Sequence, residues 1–394
     1  MPCFVYGKKR TTGSNMCFTT NPVVEAQDTT QSHFQGGSRS VSSKFSDDFC
    51  VTTPILPGLP DDVAMYCLAL VPRSNFPVMG SVCKRWRSFI RSKEFIIVRK
   101  LAGMLEEWLY VLSVDPHGNG GSRWEVLDCS GQKHLELPIM PGPVKVGFGV
   151  VVLDGKLLIV AGCTVADGGA ISPSPDVYQY DSCLNSWSKL PDMNVPRYDF
   201  ACAEVNGMVY AVGGYGIGGE SLSCAEMYDP ITNKWTMIEP LRRPRWGCFA
   251  FGLEGKLYVM GGRSSFTIGN SRFVDVYNTN MHAWHEMKNG CVMVTAHAVL
   301  GNKLFCIEWK NQRKLAIFDS DDNSWKMVPV PVTGSTSIRF QFGILDGKLL
   351  LFPLQEAPGY ITLLYDPNAA PGSEWQTSGI KPAGSCVCSV TIKV

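Results

Sequence analysis

Six times along this chain a bulky apolar or aromatic residue is followed at once by a turn-forming Asp or Asn, and a second ring recurs, mostly seven residues after the first. The pairs run from Leu127-Asp128 to His134, Tyr180-Asp181 to Trp187, Tyr228-Asp229 to Trp235, Tyr277-Asn278 to Trp284, Phe318-Asp319 to Trp325 and Tyr365-Asp366 to Trp375. Five end in Trp and one in His134, and the steps between these positions are 53, 48, 49, 41 and 50 residues. That is the length of one four-stranded unit. Such a unit cannot bury both its faces alone, so its neighbours must cover them.

Upstream of each pair lies a hairpin signal, two apolar strands joined at Asp154-Gly155, Asn206-Gly207, Glu254-Gly255, Gly301-Asn302 or Asp346-Gly347. Gly, Asn and Asp suit tight turns because they accept positive φ. After the second strand come Gly213-Gly214 and Gly261-Gly262, with Ala161-Gly162 a near match, and small residues there let strands crowd together. The same register holds Ser113-Val114, Glu308-Trp309 and Pro353-Leu354 in the other copies, which are expected to be less regular. Rings of such short sheets are β-propellers.

Strand, Gly turn, strand, Gly-Gly, long loop, Tyr-Asp and then Trp resembles the kelch repeat, over roughly residues 108 to 394. The first copy begins at Trp108-Leu109-Tyr110, already a second strand, while Ser385 to Val394 is a strand left over after the last Trp. Pairing the two would close a six-bladed ring and remove two open sheet edges.

Residues 55–103 carry a helical period instead. Val63, Tyr66, Cys67 and Leu70 recur at one spacing, and Val78, Met79, Val82, Cys83 and Trp86 form a second stripe. Leu59-Pro60-Asp61-Asp62 starts a helix, Ser74-Asn75-Phe76-Pro77 starts another, and a third runs through Phe95 to end at Gly103. So short a segment is too small for a robust core and needs a partner or neighbour.

Leu56-Pro57-Gly58-Leu59-Pro60, followed by Val82-Cys83-Lys84-Arg85-Trp86, resembles the F-box. The resemblance implies docking to the Skp-type adaptor of a cullin-RING ubiquitin ligase, with Leu59, Pro60, Val63, Val82, Cys83, Lys84 and Trp86 as adaptor-binding candidates. Gly80 and Phe76-Pro77 depart from the family pattern. The order of tail, F-box and propeller resembles the plant F-box/kelch-repeat proteins. In that family the propeller captures a protein substrate and ubiquitin transfer occurs on other subunits, so the chain itself is expected to be non-catalytic. Mainly β architecture is therefore expected: a six-bladed kelch propeller over 104–394, a three-helix F-box at 55–103 and a disordered tail at 1–54, the tail being rich in Ser, Thr, Gly and Asn.

A net charge of +1 argues against bulk attraction to nucleic acid or membrane. No N-terminal stretch has the order of a secretory signal, so the chain is expected to stay inside the cell, in the cytoplasm, the nucleus or both, with its 15 Cys as reduced thiols. Eight basic residues (Arg73, Lys84, Arg85, Arg87, Arg91, Lys93, Arg99, Lys100) read as a charge that steers adaptor docking, a solvated face, or a nucleic-acid patch.

Ten residues before each turn position stand Lys145, Arg197, Arg245, Val292 and Ser337. Two readings of that register stay open. The cations bind loop carbonyls inside the propeller, or, with Tyr198, Trp246, Arg263 and Arg339, they line a basic funnel for an acidic or phosphorylated substrate segment. The competing classes are a non-ligase kelch scaffold and a copper oxidase. The oxidase needs clustered ligands, whereas the six His are scattered, so no cofactor or metal is expected.

Overall fold

The computed structural model describes residues 54–394 apart from 115–121, 135, 167, 265–270, 289, 291–293, 309–313, 332–338 and 355–360. The segment expected to be a disordered tail, save Pro54, lies outside the described residues, as do Val292 and Ser337.

Five four-stranded antiparallel sheets follow one another as blades two to six, at 149–190, 201–238, 246–287, 294–329 and 340–378. Blade one is a composite. The C-terminal strand Ser385–Lys393 pairs antiparallel with Glu107–Val114, placing Lys393 opposite Glu107, and Ser122–Leu127 pairs with the other edge of that strand. Glu106 and Val394 exchange backbone hydrogen bonds of 2.9 and 3.1 Å where the other blades have a hairpin turn. Among the described residues blade one has three strands. In place of the fourth, Leu127 bridges Lys133, and the His134 ring stacks on Trp108 at 4.3 Å.

The repeated pair works as a clasp within each remaining blade. Tyr180 faces Trp187, Tyr228 faces Trp235, Tyr277 faces Trp284, Phe318 faces Trp325 and Tyr365 faces Trp375 across the outer two strands. Directly opposed aromatic pairs of this kind stabilise antiparallel ladders. The Tyr180 and Tyr228 hydroxyls donate to Asn185 and Asn233, which turn the chain at φ 50° and 55°. Indole N–H groups of Trp187, Trp235 and Trp284 donate to carbonyls of Pro138, Pro191 and Glu239 in the segment arriving from the preceding blade. One residue type thus ties its own blade together and ties that blade to the last.

Among the described residues six apolar clusters form, each bridging two neighbouring blades: two with three, three with four, four with five, five with six, six with one, and one with two. The ring is closed by side chains as well as by the composite blade. Blades five and six are complete despite lacking Gly-Gly. Blade five carries a register shift between Val294 and Ala296, blade one another between Leu112 and Ser113, and blade six none. Irregularity therefore follows the Gly-Gly signal in two of three copies. Where the signal is present its purpose is close approach, since a Cβ on Gly213 would lie 2.3 Å from the Arg245 carbonyl.

The helical segment holds four α-helices, where three were expected: α1 Asp61–Ala69, α2 Phe76–Val82, α3 Lys84–Ile90 and α4 Lys93–Leu101. The stripe from Val78 to Trp86 is broken because Cys83 is extended, at φ −156°, and its sulfur caps α3 by accepting from the Trp86 N–H. Nor does the module stand apart. Ala64, Leu68, Phe76, Met79, Phe89, Ile90 and Phe95 share one core with Trp108, Tyr110, Leu157, Tyr180, Cys183 and Ile392 of blades one and two. The neighbour that so small a core requires is the propeller itself.

Candidate functional site

The helices present two faces. The inward one fills the shared core, and the outward one leaves the Val63, Tyr66, Cys67 and Leu70 stripe of α1 exposed, with Leu59 before it and Val78 and Val82 on α2. Val63 and Tyr66 keep 43% and 46% of their surface, a large fraction for apolar residues in one row. Pro60, Cys83 and Lys84 are also exposed. The segment before α1 is fastened to α3: the Trp86 indole donates to the Ile55 carbonyl at 2.9 Å, and Arg85 pairs with Asp61 at 2.5 Å. Those two contacts bring Leu59 and Pro60 beside the start of α3. Trp86, half-buried, is committed to that fastening, so of the seven adaptor-binding candidates it is the one whose ring is already in use.

Much of the basic run is spent on the propeller. Arg73 is buried over the Trp108 ring and donates to carbonyls of Glu106 and Ile392 and to hydroxyls of Tyr110 and Ser182. Arg99, fully buried, donates to carbonyls of Ala69, Val71 and Met104. Arg91 reaches Asp181 and Lys93 reaches Asp154. Lys84, Arg87 and Lys100 remain exposed. Arg73 and Arg99 are thus withdrawn from any partner, while Arg91 and Lys93, though paired, stay exposed with the other three.

The register of cations ten residues before each turn is interior, which corrects the expectation of a basic funnel at Lys145, Arg197 and Arg245. Arg197 and Glu226 are both fully buried, 2.6 Å apart, and Arg197 also donates to carbonyls of Gly213 and Cys224. Glu226 accepts in addition from the Asn194 and Val195 N–H groups. Arg245 pairs with Asp275 at 2.8 Å and donates to carbonyls of Val259 and Phe273. Lys145 pairs with Asp176 at 2.9 Å. Burial raises the Asp176 carboxyl, but hydrogen bonds from Ser174, Lys145 and Lys189 outweigh it and hold the group well below the usual carboxylate range. In each of these three blades the cation fixes the incoming loop to the third strand or to the residue just before it. The physical reason is satisfaction: a loop crossing the end of a sheet leaves carbonyls that need donors.

Tyr198 and Trp246, by contrast, are half-buried at the rim, and Arg263 is exposed with its guanidinium 5.8 Å from the centre of the Trp246 ring. Arg339 lies just before the inner strand of blade six, its carbonyl accepting from the Leu354 N–H. Two rim residues escaped the sequence reading. Tyr215 stacks between Tyr198 and Trp246, and Asp199 adopts φ 50° where the matching positions of blades two and four are Gly147 and Gly247. The signal was there, because Asp199 stands two residues after Arg197 as Gly147 and Gly247 stand after Lys145 and Arg245.

Among the described residues no group of three His, Cys, Asp or Glu could hold a metal ion, and no helix is long and apolar enough to cross a membrane. His297 packs on Phe249 at 4.5 Å, and burial pushes its imidazole down to about 3, so it is neutral at physiological pH. Cys386 and Cys388 are free thiols raised by burial.

The Kelch motif family matches residues 145–194 and 196–242, and the F-box domain family matches residues 56–97. The F-box/kelch-repeat protein At1g67480 of Arabidopsis thaliana is 61% identical over 386 residues, covering 98% of both chains. The putative F-box/kelch-repeat protein At1g27420 of the same plant is 43% identical over 351 residues, 86% of this chain and 98% of that one. Among solved structures, that of YjhT superimposes with a TM-score of 0.51 at 14% identity, covering 68% of this chain and 96% of that one, a likeness of fold alone. With relatives this similar from end to end and both domain families matched in the same order, the chain belongs to the plant F-box/kelch-repeat protein family.

Proposed function

We propose that this chain is the substrate-recognition subunit of a Skp-cullin-F-box E3 ubiquitin ligase. The α1 face docks the Skp-type adaptor and through it the cullin and RING subunits, and the propeller captures a protein substrate. One observation carries the reading: the helical module buries one face in the propeller and leaves a row of apolar side chains at Leu59, Val63, Tyr66 and Leu70 in water. Exposing such a row costs solubility unless a partner covers it. Ubiquitin transfer belongs to the other subunits, and the reading calls for no cofactor, nucleic acid or membrane. It sets the work of the chain in the cytoplasm or the nucleus, where cullin-RING assemblies operate.

The test is co-purification of the full chain with a plant Skp-type adaptor. Leu59→Ala combined with Pro60→Ala, and separately Val63→Glu, are expected to abolish capture while leaving Tm nearly unchanged, because these side chains are exposed. Capture undiminished in folded variants, or no capture by the parent chain, rejects the assignment.

A further inference from the structure

With Lys145, Arg197 and Arg245 neutralised inside the blades, the groups left at the loop end of blades two to four are of another kind. Tyr198, Tyr215 and Trp246 form a ladder, with ring centres 5.2 and 4.7 Å apart and planes inclined by 30° and 27°. All three are half-buried, so each keeps part of its surface for a partner. Exposed Val146 and Ile217 flank them on neighbouring loops.

Asp199 stands beside this ladder. Its backbone links the blades, the N–H donating to the Gly147 carbonyl and the carbonyl accepting from the Gly247 N–H. Asp199 holds, at φ 50°, the left-handed conformation that its two Gly counterparts adopt freely. Its carboxylate lies over Gly147, where an added Cβ would come within 2.8 Å of Oδ1. Among the described residues, nothing donates a hydrogen bond to that carboxylate, whereas Asp176, Glu226 and Asp275 of the same loop layer each hold a cation. Burial pushes the Asp199 carboxyl above its usual range. Burial also raises the Tyr198 hydroxyl, with Cys163, Asp199 and Glu220 adding to it. Arg263, set over Trp246, shows that the far end of the ladder accepts a planar cation.

We propose that this rim captures an arginine or lysine side chain presented by an extended segment of the protein substrate, its alkyl stem on the Tyr198–Tyr215–Trp246 ladder and its charge on Asp199. The proposal rests on the ligase reading and names the chemistry of its substrate, one opposite in charge to an acidic or phosphorylated segment. Aromatic faces and an unpaired, partly desolvated carboxylate favour a cation twice over, through the ring quadrupoles and through the ion pair.

The experiment probes the full chain, alone and with a plant Skp-type adaptor, on an oriented peptide array. Flanking positions are degenerate and the central residue is fixed as Arg, Lys, Gln, Glu or phosphoserine. Arg and Lys sets are expected to be retained about five-fold or more over the Gln set, the scale of one cation–π contact with one charge pair. Asp199→Asn is expected to bring them down to the Gln level with Tm and adaptor capture unchanged, since Asn accepts the same backbone conformation. Preference for Glu or phosphoserine, no preference at all, or a cation preference that survives Asp199→Asn overturns the proposal. Loss of adaptor capture by the parent chain, with the cation preference intact, would instead count against the ligase reading alone.

Discussion

At the scale of single residues, burial decides what a charge does. Arg197 and Arg243 are both basic, both near the loop end of the propeller and both paired, yet Arg197–Glu226 is wholly buried while Arg243–Glu286 is 43% and 22% exposed. Arg197→Ala leaves the Glu226 carboxylate buried without its counter-charge and is expected to lose about 3–5 kcal/mol. Arg243→Ala, whose partner is rehydrated, is expected to lose less than about 1 kcal/mol. Urea unfolding of the two variants checks the difference, and equal losses would remove the structural role assigned to the buried register. The same contrast explains why a row of cations that reads as a binding funnel in one dimension becomes a set of loop anchors in three.

The element that most depends on the whole chain is the C-terminal strand Ser385–Lys393. It supplies Cys386 and Ile392 to the clusters on its two faces, and Ser389 and Thr391 donate to carbonyls of Phe342 and Ile344 in blade six. Deleting residues 385–394 opens an edge on blade one and exposes the flank of blade six at once. The expected result is insoluble or protease-sensitive protein, read by expression and limited proteolysis; a truncated chain melting at the parent temperature would contradict closure through this strand. The Trp clasps, by contrast, are local to each pair of blades, so loss of one should weaken the ring without opening it.

Across the whole molecule, the helices and the rim occupy opposite ends of the strands. The module packs on the turn at Asp181 to Leu184 and on the Glu106–Val394 junction, which lie at the hairpin end of blades two and one, where Gly80 is so close to Leu184 that a Cβ would come within 2.7 Å. Tyr198, Asp199 and Trp246 lie where the chain enters the inner strands, at the other end. An adaptor on α1 and a substrate on the rim would therefore bind without competing. Because Arg73 and the shared core join helices to propeller, calorimetry of residues 54–394 should give one cooperative transition, and removal of residues 54–103 should lower the Tm of what remains. Two separate transitions in the intact chain would show the helices to be an independent unit.

Much of this architecture was legible in one dimension because it repeats. The Tyr-Asp to Trp period set the number of blades, and the unmatched strands at Trp108 and Ser385 announced the composite closure, since unpaired edges must find each other. The exposed stripe on α1 was legible as a helical period, though not as an outward face. What the tertiary structure alone decided was which charges and apolar groups face water. Lys145, Arg197 and Arg245 pair with carboxylates 29 to 31 residues away, a separation no local pattern reports. Asp199 and Tyr215 join one rim only after the blades have closed. Periodicity follows from the local geometry of strands and turns, whereas burial and ion pairing follow from which segments the closed ring brings together.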